Sequence, residues 1–466
     1  VDLFQSHLRA LTVGCWLLSA VGCLPIDHAP PESTPAFTDA LAQADRVTPT
    51  DALPLFAGAA RVTMTPPGAP PLAGYGNRLG RPARGVHDDL YARAVALRAG
   101  DRTVVLVSLD LLAITDDMVT AIQSRIGRDV SLAPESVIVS ATHTHSGFGA
   151  VARRVWEGFA AGEYDDALFL FLTDRAATAA ILAVRDLAPA ELAWGEAAAP
   201  ERIANRMIPE GYADAAIPFF AVRRPNHSAV AVVVNFSAHA TVLKADNFLL
   251  SGDFPGATVR ALEEGGGLAL YTAGAVADQT ARAPAAADRY AAMDAMGHDL
   301  AGRVQAAWSA LPPAAWKDRA AVAAWRLSLA LPPAQVKLSP QRRAPGLVGG
   351  LLFDDRTTLA VAVIGEGVLI GVPCDLSAQI GAAWKAEARR RGRRAVILGF
   401  ANDYVGYVIP GEYYATSHYE ARMSFNGPYM DRYLTAVVSR VLVRLGPFSA
   451  SSVTTGSSRP VLGETR

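Results

Sequence analysis

Short, wholly apolar runs alternate along this chain with longer stretches of helical period. Thr103–Asp110 (TVVLVSLD), Ser136–Thr142 (SVIVSAT), Ala229–Phe236 (AVAVVVNF) and Ala395–Phe400 (AVILGF) lack a polar face, the pattern of strands buried on both sides. Asp117–Ile126, Asp166–Val184, Pro255–Glu264, Ala287–Ser309 and Leu376–Arg391 place apolar residues at helical spacing, several behind capping residues. This alternation predicts an α/β fold, with mixed β-sheets flanked by helices in a single large domain. No internal repeat is legible. In such folds, polar residues just past strand ends tend to line the functional cleft.

The ends of the chain depart from this pattern. Arg9 precedes the apolar stretch Leu11–Gly22, too short to span a bilayer but of signal-peptide dimensions, which ends in Ala20-Val21-Gly22-Cys23. Residues 1–23 therefore read as a signal peptide of lipoprotein type, with Cys23 as the lipidated residue and membrane anchor. The implied location is outside the cytoplasm, as a bacterial envelope lipoprotein or a secreted or periplasmic protein. No other segment reads as transmembrane. Residues 24–54, rich in Pro, Ala, Asp and Thr, read as a disordered tether, and 446–466 as a disordered tail. Within the expected catalytic domain, 55–445, the loop Pro332–Gly350 is the best candidate for an internal boundary.

Composition narrows the function by exclusion. The formal net charge is −1, from 43 basic and 44 acidic side chains, which gives no electrostatic reason to expect nucleic acid. Three cysteines, Cys15, Cys23 and Cys374, make neither a disulfide framework nor a thiolate metal site. No protein partner is evident.

Chemistry gathers where strands end. Ala141-Thr142-His143-Thr144-His145-Ser146-Gly147 follows the strand SVIVSAT, and on extended backbone His143 and His145 face one side. Two imidazoles on one face make half of a zinc site, although hydrogen-bonded histidines at a strand end give the same pattern. A second hydrophobic strand ends in Ser237-Ala238-His239, followed by Ser251-Gly252-Asp253 opening a helix, where Asp253 caps the helix or orients a ligand. Pattern alone makes Asp375 a helix cap and the tyrosines of 404–419 packing residues. His87 reads as a turn histidine bonded to Asp88 or Asp89. Asp110 reads equally as a support to the site or a structural cap. Cys374 reads as packing, and Arg389–Arg394 as a solvated helix end.

Taken in order, these segments resemble the neutral/alkaline (non-lysosomal) ceramidase family. The matching pieces are Gly74-Tyr75-Gly76, GVHDDLYARA (85–94), Ser-Leu-Asp (108–110), Ala-Thr-His-Thr-His-Ser-Gly (141–147), Asn205-Arg206, Ser-Gly-Asp (251–253) and Asn-Asp-Tyr…Tyr…His-Tyr-Glu-Ala (402–421). They span roughly residues 55–445. The resemblance implies zinc held by His143, His239, Asp375 and Tyr407, with His145, Arg206 and Tyr419 at the substrate amide and transition state. It implies a zinc-dependent hydrolase of a linear amide or related acyl bond, such as N-acylsphingosine or a similar lipid amide. Family members usually carry a further immunoglobulin-like C-terminal domain, for which this chain leaves no room.

Two departures open alternatives. The family places Glu where Asp375 stands, so the carboxylate arm is one methylene shorter and the backbone must approach or a water must intervene. The family's nucleophilic serine, in Gly-Asp-Val-Ser-Pro, corresponds to Thr280 in Ala277-Asp278-Gln279-Thr280-Ala281. Either Thr280 is the nucleophile or a zinc-activated water takes that role, and the crowding methyl of threonine favours the water. The same departures support a rival reading: a lipid-anchored binding protein that keeps the fold without the activity.

Overall fold

The structure is a computed structural model that describes residues 23–154, 158 and 161–448. Its architecture is one motif used three times. The first unit runs β1 (Leu53–Thr63), β2 (Tyr91–Ala99), β3 (Arg102–Leu109), α1 (Asp116–Asp129), β4 (Val137–Ala141) and α2 (Asp166–Arg185). The second runs β5 (Glu191–Ala198), β6 (Ala216–Arg223), β7 (Ala229–Phe236), α3 (Asp253–Glu263), β8 (Leu268–Ala273) and α4 (Arg289–Ser309). The third runs β9 (Val322–Ala330), β10 (Arg356–Ile364), β11 (Gly367–Gly371), α5 (Ala378–Arg390), β12 (Arg394–Leu398) and α6 (Met430–Leu445). In each unit the first three strands form an antiparallel meander, and the fourth returns through a helix to lie parallel to the third.

The repeat explains why the strands have no polar face. The inner faces of all three sheets meet in one common core, where Val104 and Leu106 of β3 join Phe220, Val233, Leu369 and Val396. The outer faces pack under their own helices: Val105, Val107 and Leu109 lie beneath α1 and α2. Sheets two and three are covered in the same way by α3 with α4 and by α5 with α6. Each fully buried Val or Leu contributes about 1.5–3 kcal/mol, so both faces of a strand are under selection for apolar residues. The helices start at defined caps: Asp165 accepts from Ala167 and Leu168, Asp288 from Ala291, and Ser377 from Gln379.

The carboxyl ends of the parallel strands are tied across units. Ser108 Oγ donates to the Tyr271 carbonyl, Asn235 Nδ2 to the Ile397 carbonyl (2.9 Å), and the Val139 amide to Asn402 Oδ1 (2.9 Å). Loops from all three units are thereby gathered at one end of the molecule.

The α/β class, the mixed sheets and the single domain agree with the sequence reading, and the expected elements recur with ends shifted by at most three residues. Other expectations need correction. Residues 24–54 are not a free tether. Pro35–Ala44 is a helix capped by Thr34, and Ala40, Ala44 and Val47 are buried beside α6. Pro332–Gly350 is not a boundary, because β9 and β10 on either side of it pair residue for residue. The helix α2 is long and apolar enough to cross a membrane, contrary to the reading that no segment after the leader is. It serves instead as a core helix, with Phe169, Leu172, Ala176 and Ala180 buried on sheet one. Residues 1–22 and the tail from 449 lie outside the described residues; Cys23 is exposed.

A candidate metal centre at the strand ends

His143 stands two residues past β4 with φ +63, a left-handed conformation that costs a non-glycine residue about 1–3 kcal/mol. Phe400 stands two residues past β12 with φ +53, and the two rings stack at 3.8 Å. This turn aims His143 inward. His239 follows β7, and His145 lies beside Ala240, whose carbonyl accepts its amide at 3.2 Å.

Backbone carbonyls fix all three rings in one tautomer. His143 Nδ1 faces the Leu112 carbonyl at 2.7 Å, and His145 Nδ1 faces that of Gly74 at 3.1 Å. His239 Nδ1 faces the carbonyls of Val276 and Gln279 at 2.8 and 3.1 Å. A carbonyl only accepts, so each Nδ1 carries the proton and each Nε2 presents a lone pair. These nitrogens lie within 4.8 Å of one another.

Asp375 and Tyr407 complete the cluster. Asp375 Oδ1 lies 3.6 Å from His143 Nε2 and 3.4 Å from His239 Nε2, while Tyr407 Oη lies 3.4 Å from His239 Nε2. Four donors about 2.0–2.1 Å from a tetrahedral zinc stand about 3.3–3.4 Å apart, close to these separations. Asp375 Oδ1 is buried without a hydrogen-bond partner, whereas Oδ2 accepts from the Tyr404 hydroxyl at 2.9 Å. A buried orphan carboxylate oxygen facing imidazole lone pairs is a costly arrangement that a cation would neutralise. The residues present fit a zinc ion. The short arm of Asp375 reaches because the backbone approaches: Asp375 and Tyr407 are register partners in a parallel pair, and the Asp375 amide donates to the Gly406 carbonyl at 3.0 Å.

For the side chains alone, burial dominates the electrostatics. It pushes His143 down to about 3 and holds His145 and His239 well below the ordinary imidazole range. Burial raises the Asp375 carboxyl, against the pull of His143 and Tyr404, and raises the Tyr407 phenol. Neutral imidazoles are the form that binds a metal.

His145 Nε2 also lies 3.3 Å from His143 Nε2, so distance alone leaves it a possible fifth donor. It differs from His143 and His239 in being only partly buried. It fronts a cavity of about 120 Å³ whose lining includes Leu112, Met118, Phe148, Tyr404, Tyr419 and Met423. Larger grooves of about 680 and 540 Å³ lie elsewhere and are lined mainly by charged and polar residues. Arg206 donates to Tyr407 Oη at 3.2 Å and pairs with Glu420 at 2.9 Å. Tyr419 is 58 % exposed, and its ring meets that of Tyr407 edge-on at 5.6 Å. Thr280 forms a parallel bridge with His239, so the two side chains share a face. Asp278 fixes that segment by accepting from Ser377 Oγ and the Ala378 amide.

Residues outside the expected set hold the centre. Buried Arg78 donates to the carbonyls of Ala73 and His145 (2.8 and 2.6 Å) and of Lys244 and Ala245 (3.2 and 3.1 Å), latching the His145 loop from behind. Tyr404, read from sequence as packing, supports Asp375. Asp253 accepts from the Phe254 and Leu243 amides, so its carboxylate oxygens are bonded to backbone at the start of α3. Asp110 is structural, accepting from the Tyr91 amide and pairing with Arg93. His87 bonds Asp88 as expected, at 2.8 Å.

Residues 56–269 match the family model described as neutral/alkaline non-lysosomal ceramidase, N-terminal. Among solved structures, the neutral ceramidase from Pseudomonas aeruginosa matches with a TM-score of 0.73 and 19 % identity, over 88 % of this chain and 77 % of that one. A ceramidase complexed with C2 matches with a TM-score of 0.74 and 18 % identity over the same shares. A search of curated proteins gives no match. The resemblance read from the motifs thus holds in sequence over residues 56–269 and in fold over most of the chain.

Proposed function

For a chain that is ceramidase-like in sequence over residues 56–269 and in fold over most of its length, we propose a zinc-dependent hydrolase of linear lipid amides. One observation carries the reading. His143 Nε2, His239 Nε2, Tyr407 Oη and the orphan Asp375 Oδ1 face one buried point, a donor set for a single divalent ion. These four residues would hold the ion, and zinc bound there would supply a Lewis acid for an acyl oxygen and lower the pKa of a water to about 7.

The chain's own groups do the rest. His145, locked as the Nδ1–H tautomer, offers Nε2 as the base that takes the nucleophile's proton. Arg206 and Tyr419 donate to the oxygen on which charge develops, and Glu420 and Tyr407 hold the Arg206 guanidinium in place. The apolar cavity beside His145 takes a hydrocarbon chain of the substrate and excludes water from the base. Export and lipidation at Cys23 remain part of the proposal, resting on the leader sequence.

For the nucleophile a second reading is open, and the bridge pairing of Thr280 with His239 supports it. The test is turnover of a panel of N-acyl amides and esters by the zinc-loaded protein, beside His145→Ala and Thr280→Ala. Activity lost in His145→Ala and kept in Thr280→Ala supports the account with water as nucleophile. Activity lost in both and restored by Thr280→Ser assigns the hydroxyl. No turnover on any member of the panel, with zinc bound, sinks the hydrolase and leaves a binding protein.

A further inference from the structure

The excursion between β9 and β10 is built inside out. Its helix, Gly346–Leu352 (GLVGGLL), turns Gly349 inward and leucines outward. A Cβ on Gly349 would collide with the Ala334 carbonyl, so the glycine fixes which side faces the protein. Leu347 and Leu351, four residues apart on one helix face, are 74 % and 77 % exposed. A surface helix of a soluble protein normally does the reverse. Leu338 and Leu352 are also exposed. Elsewhere on the described surface, large exposed apolar side chains such as Leu79, Leu170 and Val443 are scattered along the sequence.

The same segment presents positive charge beside the leucines. Residues 336–352 contain Lys337, Arg342 and Arg343 and no acidic residue, with Asp354 and Asp355 following; Lys337 is turned into the protein and Arg342 is exposed. Arg342 and Arg343 lie on a short strand that pairs antiparallel with Leu24–Pro25, so exposed Leu24 and exposed Cys23 are brought to this face. The excursion also supports the rim of the apolar cavity. Lys337 Nζ donates to the carbonyls of Tyr414 and Ala421, and Phe353 stacks on Phe425 at 4.1 Å. Tyr419 and Met423, from that supported segment, line the cavity.

We infer that this face docks on an anionic phospholipid bilayer, with Leu347 and Leu351 entering the headgroup–acyl boundary and Arg342 meeting lipid phosphate. Outward leucines next to the exposed Arg342 match an interfacial lipid surface, which rewards apolar insertion and positive charge together. Cys23 joins the same face, so a lipid anchor there and the leucine helix would engage one membrane. The cavity rim is then held near the bilayer, where an amide lipid resides. The docking stands apart from the proposed hydrolysis, since it is read without substrate.

The experiment uses a chain starting at residue 24, which retains every described residue except Cys23. Co-sedimentation is measured with vesicles of phosphatidylcholine and of an equimolar mixture of phosphatidylcholine and phosphatidylglycerol. Binding is expected on the mixed vesicles, weakened about tenfold or more by Leu347→Ser with Leu351→Ser, and also reduced by Arg342→Glu. Leu170→Ser with Leu182→Ser, on the exposed face of α2, is expected to bind as the unsubstituted chain does. Circular dichroism and thermal unfolding confirm that each variant folds. No vesicle binding, or equal binding by the Leu347/Leu351 variant, overturns the inference. A concentration-dependent dimer that the same variant dissolves would instead assign the face to a second copy of the chain.

Discussion

Gly74→Ala is the sharpest test of the role given to His145. Gly74 has φ +102, and a Cβ there would stand 2.5 Å from His145 Nδ1, 2.7 Å from its Cγ and 3.0 Å from its Cβ. Ordinary contacts begin near 3.5 Å, so the imidazole must retreat by about 1 Å. The ring is otherwise held by the Gly74 carbonyl and by Tyr75, whose ring lies 4.9 Å away. A displacement of about 1 Å at a catalytic base costs about 10²-fold in kcat. Alanine at positive φ adds backbone strain of about 1–3 kcal/mol. For a chain of 466 residues that lowers Tm by only about 1–3 °C. Gly68→Ala is the control: φ is +84, but nothing lies within 4 Å of the added Cβ, so it carries the strain without the collision. Steady-state kinetics, metal content and thermal unfolding are measured on both variants. The expected outcome is kcat down about 10²-fold in Gly74→Ala alone, with zinc retained in both. Wild-type kcat in Gly74→Ala would refute the role of His145, and loss of zinc there would make His145 a ligand.

Other consequences are open to direct measurement. Tyr404→Phe removes the hydroxyl bonded to Asp375 Oδ2 and should weaken zinc binding about 10–100-fold in a competition titration; an unchanged affinity would separate Tyr404 from the centre. In metal-free protein, His143 falls from 6.5 to about 3 on folding, so the unfolded chain binds the extra proton. Its contribution to stability is therefore present above pH 6.5 and is lost as pH falls toward 3, while Asp375, raised by burial, acts in the opposite sense. Thermal unfolding against pH should show a smaller loss in His143→Asn than in the parent, and an identical profile would contradict the buried neutral imidazole. Gly367→Val drives a side chain into the Trp194 ring in the common core and should cost about 1–3 kcal/mol in a denaturant titration; a neutral result would deny that sheets two and three pack there.

Much of the centre was legible because it sits where apolar runs stop. β7 was read residue for residue, and His143, His239 and Asp375 each follow a strand. Choosing Asp375 and Tyr407 over His145 as ligands needed the family resemblance, because spacing favours the His-x-His pair. The groups that fix the tautomers were invisible, since Leu112, Gly74, Val276 and Gln279 act through backbone carbonyls and any residue type would serve. The threefold repetition was missed because it resides in topology. The three units share burial on both strand faces, which demands only apolar residues and leaves no recurring motif. The expected strands also left out β1, β2, β5, β6, β9 and β10; β1, β2 and β5 are alanine-rich runs, whereas β9 carried a readable signal, with Trp325, Leu327 and Leu329 alternating with Arg326 and Ser328. The helix Pro35–Ala44 was hidden by flanking prolines and polar residues, although Ala40 and Ala44 make its buried face.

The central claim is that four residues far apart along the chain hold one zinc while His145 stands beside it as a base. Elemental analysis of purified wild type, His239→Ala and His145→Ala tests this in a single measurement. The account predicts one zinc per chain in the wild type and in His145→Ala, and none in His239→Ala. A wild type without stoichiometric metal, or a His145→Ala protein as empty as His239→Ala, would contradict it.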